Sequence, residues 1–194
     1  MDKKSKKGIF ANIIFNSLWL FGFCLVIMFF SLMFFVGDMN EILRFILGVV
    51  FCLPLFVLFY GRGNIIATKE FALRNVAISP DKTTEINKVP FWSGLVMVLP
   101  FIAINLIFVL LGNITGVYPL QNVSLYICLP ATMCFKALGI ITTLNSANWY
   151  AVLAVGVFLL LTCGMYFLGF FKTLADKERS FKEMLNEVKF NTKF

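Results

Sequence analysis

The chain has 194 residues, of which 60% are hydrophobic and 14% charged, with a net charge of +7 and a mean hydropathy of +0.88. Water-soluble domains carry about half apolar and a quarter charged residues, so this balance excludes a conventional aqueous globule and points to an all-α integral membrane protein. Histidine is absent, which removes His-based metal centres, His-ligated haem and Ser-His or Cys-His nucleophile pairs.

Residues 1–8 carry Lys3, Lys4, Lys6 and Lys7 against Asp2. The apolar run over 9–36 is far longer than the roughly 7–15 residues of a signal-peptide core, and no small-x-small cleavage site follows it, so it reads as a retained first span over about 12–36. A polar turn over 37–41 leads into a second span over 42–60. Arg44 lies in its first turn, Pro54 kinks it, and Gly61 and Gly63 are expected to end it. The connector 61–90 is basic, with Arg62, Lys69, Arg74, Lys82 and Lys88. Within it Ile65, Ile66, Ala72, Leu73 and Val76 share one stripe opposite Lys69, Glu70 and Arg74, the pattern of an amphipathic helix lying on a membrane surface. Ser79, Pro80 and Asp81 read as a turn.

The third span, over 91–111, follows Pro90, with Trp92 at the interface and Pro100 as an internal kink. Asn105 lies inside it and needs a partner across a helix contact. Residues 112–124 carry no charge and are rich in turn formers, among them Gly112, Gly116 and Pro119. The segment 126–144 is apolar enough to enter a bilayer but holds Pro130 and Lys136. A last span over 149–171 begins at Trp149 and Tyr150 and is followed by a tail, 172–194, of alternating charge with Leu174, Phe181, Leu185 and Val188 on a narrow apolar stripe.

Two topologies compete, and they differ in whether 126–144 crosses the membrane. Lysine and arginine number four in the N-terminal segment, five in the connector and six in the tail. Four spans put all fifteen on one side, as the positive-inside rule requires. Insertion energy agrees, since a lysine at a helix centre costs about 2.5–3.5 kcal/mol against gains of about 0.3–0.6 for each Leu, Ile or Phe. The expected architecture is therefore four transmembrane helices, a re-entrant or interfacial helix over 126–144, and amphipathic cytoplasmic helices, within one polytopic domain over 1–194. Both termini are expected in the cytoplasm and the location is the cell membrane. Thirteen lysines to four arginines match the usage of an AT-rich bacterial genome.

All ten carboxylates lie at the ends or in loops, which disfavours a carboxylate-driven transporter, paired-carboxylate hydrolysis and di-metal chemistry. Gly61, Arg62 and Gly63 lack the Lys-Ser/Thr that completes a phosphate-binding loop. The basic residues flank spans and set orientation, so nucleic acid is not an expected partner. The five cysteines include no Cys-x-x-Cys pair, and no cofactor or metal is implied. Lys136 is singled out as a cation that attracts an anionic ligand in an outward-facing cavity, with Asn105 and Thr132 as further contacts. Its plainer role is a lysine snorkelling from an interfacial helix. The expected function is a non-enzymatic accessory or interaction subunit of a membrane complex, whose partners are the bilayer, another membrane protein, and anionic lipid at the basic cytoplasmic segments. The alternative is a substrate-binding or transport component for a small neutral or anionic solute.

Overall fold

The computed structural model describes residues 3–36, 39–75, 89–141 and 149–191, which form six helices and no strand. In chain order they are α1 (Lys3–Val36), α2 (Glu41–Asn75), α3 (Phe91–Thr115), α4 (Tyr118–Ile127), α5 (Leu129–Ala137) and α6 (Trp149–Asn191). Of these, α1, α2, α3 and α6 are long and apolar enough to cross a membrane. The Ser79-Pro80-Asp81 turn and the linker over 142–148 fall outside the described residues.

Periodicity explains how the long helices pack. On α2 the buried positions are Arg44, Gly48, Cys52, Leu55, Phe59, Arg62, Gly63, Ile66 and Ala67, spaced three and four apart along one face. The other face exposes Ile42, Ile46, Val49, Val50, Leu53 and Val57, as lipid contact would require. α2 starts sharply because the Asn40 side chain accepts a hydrogen bond from the Ile42 N–H at 2.9 Å, capping the first turn.

Gly61 and Gly63 do not end α2, which runs on unbroken to Asn75. Gly63 instead admits the backbone of α6: a Cβ there would meet the carbonyl oxygen of Tyr166, and one at Gly169 would meet that of Tyr60. Small residues at a crossing let two helices approach closely, which is how helices associate where solvent supplies no hydrophobic drive. The residues expected to form a separate surface helix are thus the last turns of α2. Their packed face is Ile66 and Ala67, with Ile65 and Leu73 exposed, because α6 rather than a membrane surface sets which side is covered.

Cross-helix pairs fix the directions. Tyr60 and Gly63 meet Gly169 and Tyr166, and farther along Phe71 meets Phe181 with ring centroids 6.1 Å apart, so α2 and α6 run parallel. Asn16 of α1 donates from Nδ2 to the Met97 carbonyl of α3 at 2.6 Å and accepts from Arg62 of α2 at 2.5 Å. The start of α1, the end of α2, the start of α3 and the end of α6 therefore share one end of the bundle. Pro100 cannot donate to the Val96 carbonyl four residues back, and at the next residue Asn16 reaches from α1 to the Met97 carbonyl.

At the other end the chain reverses through Gly116, whose φ of 70° lies in the left-handed region that glycine tolerates without strain. Residues 118–124, expected as turn, are already α4, with Pro119 in its first turn. α4 runs back along α3: Gly112 leaves room for the Gln121 backbone, and Ser124 Oγ donates to the Asn105 carbonyl at 2.8 Å. The chain bends at Cys128 and α5 crosses α2 at Gly48, where a Cβ would lie 2.7 Å from Cys134 Sγ and 2.9 Å from the Pro130 carbonyl. At about 1.5 Å per residue, α4 and α5 are each about 15 Å long, half of what a crossing needs.

Candidate functional site

Among the described residues, buried polar side chains cluster most densely in two places, one towards each end of the bundle. The first surrounds α4, which lies along α3 and leads through the Cys128 bend into α5. Asn105, Gln121, Ser124 and Thr132 are all essentially inaccessible there. Thr132 Oγ1 lies 3.0 Å from the Leu125 carbonyl and 3.2 Å from that of Cys128, and since Cys128 already accepts from the Thr132 N–H at 3.1 Å, the hydroxyl's own service at the bend is to Leu125. Pro130, in the first turn of α5, has no N–H to give the Tyr126 carbonyl four residues back, which helps to break the helix here.

Of the residues expected to form an anion site, Asn105 on α3 and Thr132 on α5 each border α4, at Ser124 and Leu125, but α3 and α5 do not touch, so the two are not brought together. Asn105 spends its amide nitrogen on its own helix, donating to the Phe101 carbonyl at 2.9 Å, while its Oδ1 is buried with no hydrogen-bond partner. The side-chain oxygens of Gln121 and Asn113 are in the same condition. Lys136 sits one turn past Thr132 near the end of α5 and is half-buried. The cavity of about 390 Å³ beside α4 is lined by Leu25, Met28, Leu32, Val123, Tyr126 and Ile127, so it is apolar and includes none of the three. All five cysteines are free, Cys128 and Cys134 included.

The second place is centred on Arg62, with only 5% of its surface exposed. Its Nε donates to Asn16 Oδ1 at 2.5 Å, and its guanidinium carbon lies 4.9 Å from the centre of the Trp19 ring and 5.5 Å from that of Phe15. Asn16 is held in turn by Met97, so three helices orient one guanidinium. Among the described residues no carboxylate pairs with Arg62, in contrast to Arg44 with Glu41 at 2.6 Å and Arg74 with Glu70 at 3.8 Å. Tyr166, fully buried on the facing helix, has a hydroxyl without a hydrogen-bond partner, as does Ser17 beside Asn16.

Sequence reasoning counted Arg62 among the loop cations because two glycines flank it. The signal that places it inside is the three-and-four spacing from Arg44 through Gly48, Cys52, Leu55 and Phe59, which carries Arg62 onto the packed face. Comparison with protein-family models, characterised proteins and solved structures yields no match to this chain.

Proposed function

We propose that the chain is a non-enzymatic, multi-pass accessory or interaction subunit of a membrane complex. Both termini lie in the cytoplasm, and α4 and α5 dip into the outer half of the bilayer as a re-entrant pair. The observation that carries this reading is the length of α6. Its 43 residues make about 65 Å of helix, twice the hydrocarbon thickness of about 30 Å. Past the Phe71–Phe181 contact it holds exposed Lys182, Glu183, Met184, Asn186 and Glu187. A charged helical arm anchored by a rigid bundle suits a protein partner better than it suits catalysis.

The experiment is purification from membranes in mild detergent of the full chain and of a chain lacking 182–194. A stoichiometric partner held by the first and lost by the second supports the proposal. A full chain that purifies without one removes it.

A second reading, a substrate-binding or transport component for a small neutral or anionic solute, is favoured by the orphaned oxygens of Asn105, Gln121 and Asn113. Each costs about 1–3 kcal/mol if nothing meets it. Replacing Asn105 by Leu removes the orphan. Under this reading it abolishes a solute adduct in native mass spectrometry; as a purely structural site, it raises stability with no adduct to lose.

A further inference from the structure

We infer that Arg62, Asn16 and Tyr166 form an anion site for a phosphate group at the basic end of the bundle, independent of the partner proposed above. A guanidinium carries five N–H donors in a planar fork suited to bidentate phosphate binding. The protein satisfies one, at Nε, through Asn16. No acceptor among the described residues takes the four on the terminal nitrogens, and the rings of Trp19 and Phe15 cover its faces without accepting an in-plane hydrogen bond. A buried, oriented and uncompensated cation is costly, and a membrane protein that retains one has an anion or a pathway for it.

The surroundings supply the rest of the site. Tyr166 is the α6 residue whose backbone packs on Gly63, the neighbour of Arg62 in the chain. Its hydroxyl, sealed and without a partner, is a donor for the same ligand. Glu70, two turns on along α2, is occupied by Arg74.

Phosphate reaches such a site either as a lipid headgroup or as the free ion. Depth favours the lipid. Met97 lies five residues inside Trp92, and Tyr166 six residues inside Lys172, which puts Arg62 about 8 Å below the interfacial ring, near the boundary of headgroups and acyl chains. Phe15, which covers the guanidinium, also belongs to an exposed apolar face of α1 with Phe10, Ile14 and Leu18, against which an acyl chain would lie.

The test is native mass spectrometry of the full chain released from micelles doped with phosphatidylglycerol, with phosphatidylcholine as control, and with inorganic phosphate as competitor. The wild-type chain is expected to retain one phosphatidylglycerol. Retention falls at least tenfold in Arg62→Gln and about threefold or more in Tyr166→Phe, and it is unchanged in Arg179→Gln on the exposed arm. Displacement by millimolar phosphate assigns the site to the free ion; indifference to it assigns the lipid. The proposal is overturned if the wild-type chain retains neither lipid nor phosphate, or if Arg62→Gln retains as much as wild type. Should Arg62→Gln not fold, wild-type retention by Tyr166→Phe overturns it equally.

Discussion

A methyl group at Gly63 would meet the Tyr166 carbonyl and one at Gly169 that of Tyr60, both backbone atoms that no rotamer change can move aside. Gly61, two residues earlier on the same helix, has nothing within 4 Å of its would-be Cβ. Alanine therefore has opposite signs at neighbouring positions. Gly63→Ala and Gly169→Ala are expected to lower stability by about 1–3 kcal/mol through overpacking. Gly61→Ala is expected to leave it unchanged or raise it by about 0.5–1 kcal/mol, because alanine has less backbone entropy to lose in a helix. Denaturant titration in micelles, followed by circular dichroism, measures all three. Equal losses at Gly61 and Gly63 would show that glycine acts there through chain flexibility, as a helix stop does. Sequence alone cannot separate these roles: the same Gly-Arg-Gly reads as a terminator until the neighbouring helix is known.

The bend between α4 and α5 is an element held by a side chain. Proline at position 130 withdraws a donor, and the Thr132 hydroxyl reaches back seven residues to the Leu125 carbonyl. Thr132→Val keeps the shape and removes the hydroxyl, leaving the Leu125 carbonyl without its side-chain donor at a cost of about 1–3 kcal/mol. Thr132→Ser keeps the donor and loses only a methyl, about 1 kcal/mol. The second readout is thiol chemistry: Cys128 is fully buried at the bend and Cys134 is half-buried on α5. A small methanethiosulfonate reagent is expected to modify Cys134 before Cys128 in the wild type and to reach Cys128 sooner in Thr132→Val. Unchanged Cys128 reactivity with unchanged stability would show that the hydroxyl does not hold the bend. This element was only half legible beforehand. Pro130 and Lys136 set 126–144 apart from the long apolar runs, and the structure has two short helices where it begins, but Gln121, Asn122 and Ser124 looked like loop residues. They are helical because α3 supplies what water would: Ser124 finds the Asn105 carbonyl, and Gly112 makes the space.

For the molecule as a whole, two independent lines bear on how the chain is threaded. One is the clustering of fifteen lysines and arginines beside the same ends of the expected spans. The other is packing: Asn16 bonded to both Arg62 and Met97, with Tyr166 against Gly63, gathers the start of α1, the end of α2, the start of α3 and the end of α6 at one end of the bundle. The apolar runs were readable because length and hydropathy belong to each helix separately. The Arg62 site was not, since its meaning comes from three helices meeting. Single cysteines at Ser5→Cys, Thr115→Cys and Asn186→Cys, introduced one at a time into a chain whose native cysteines are replaced by alanine, test the threading. A membrane-impermeant maleimide is expected to label Thr115→Cys in intact cells and the other two only in inverted vesicles. If Ser5→Cys and Asn186→Cys label from opposite sides, α6 does not run parallel to α2 through the bilayer. The Gly63–Gly169 crossing, the shared end and the Arg62 site would then be lost together, because all three require those two helices side by side in the same direction.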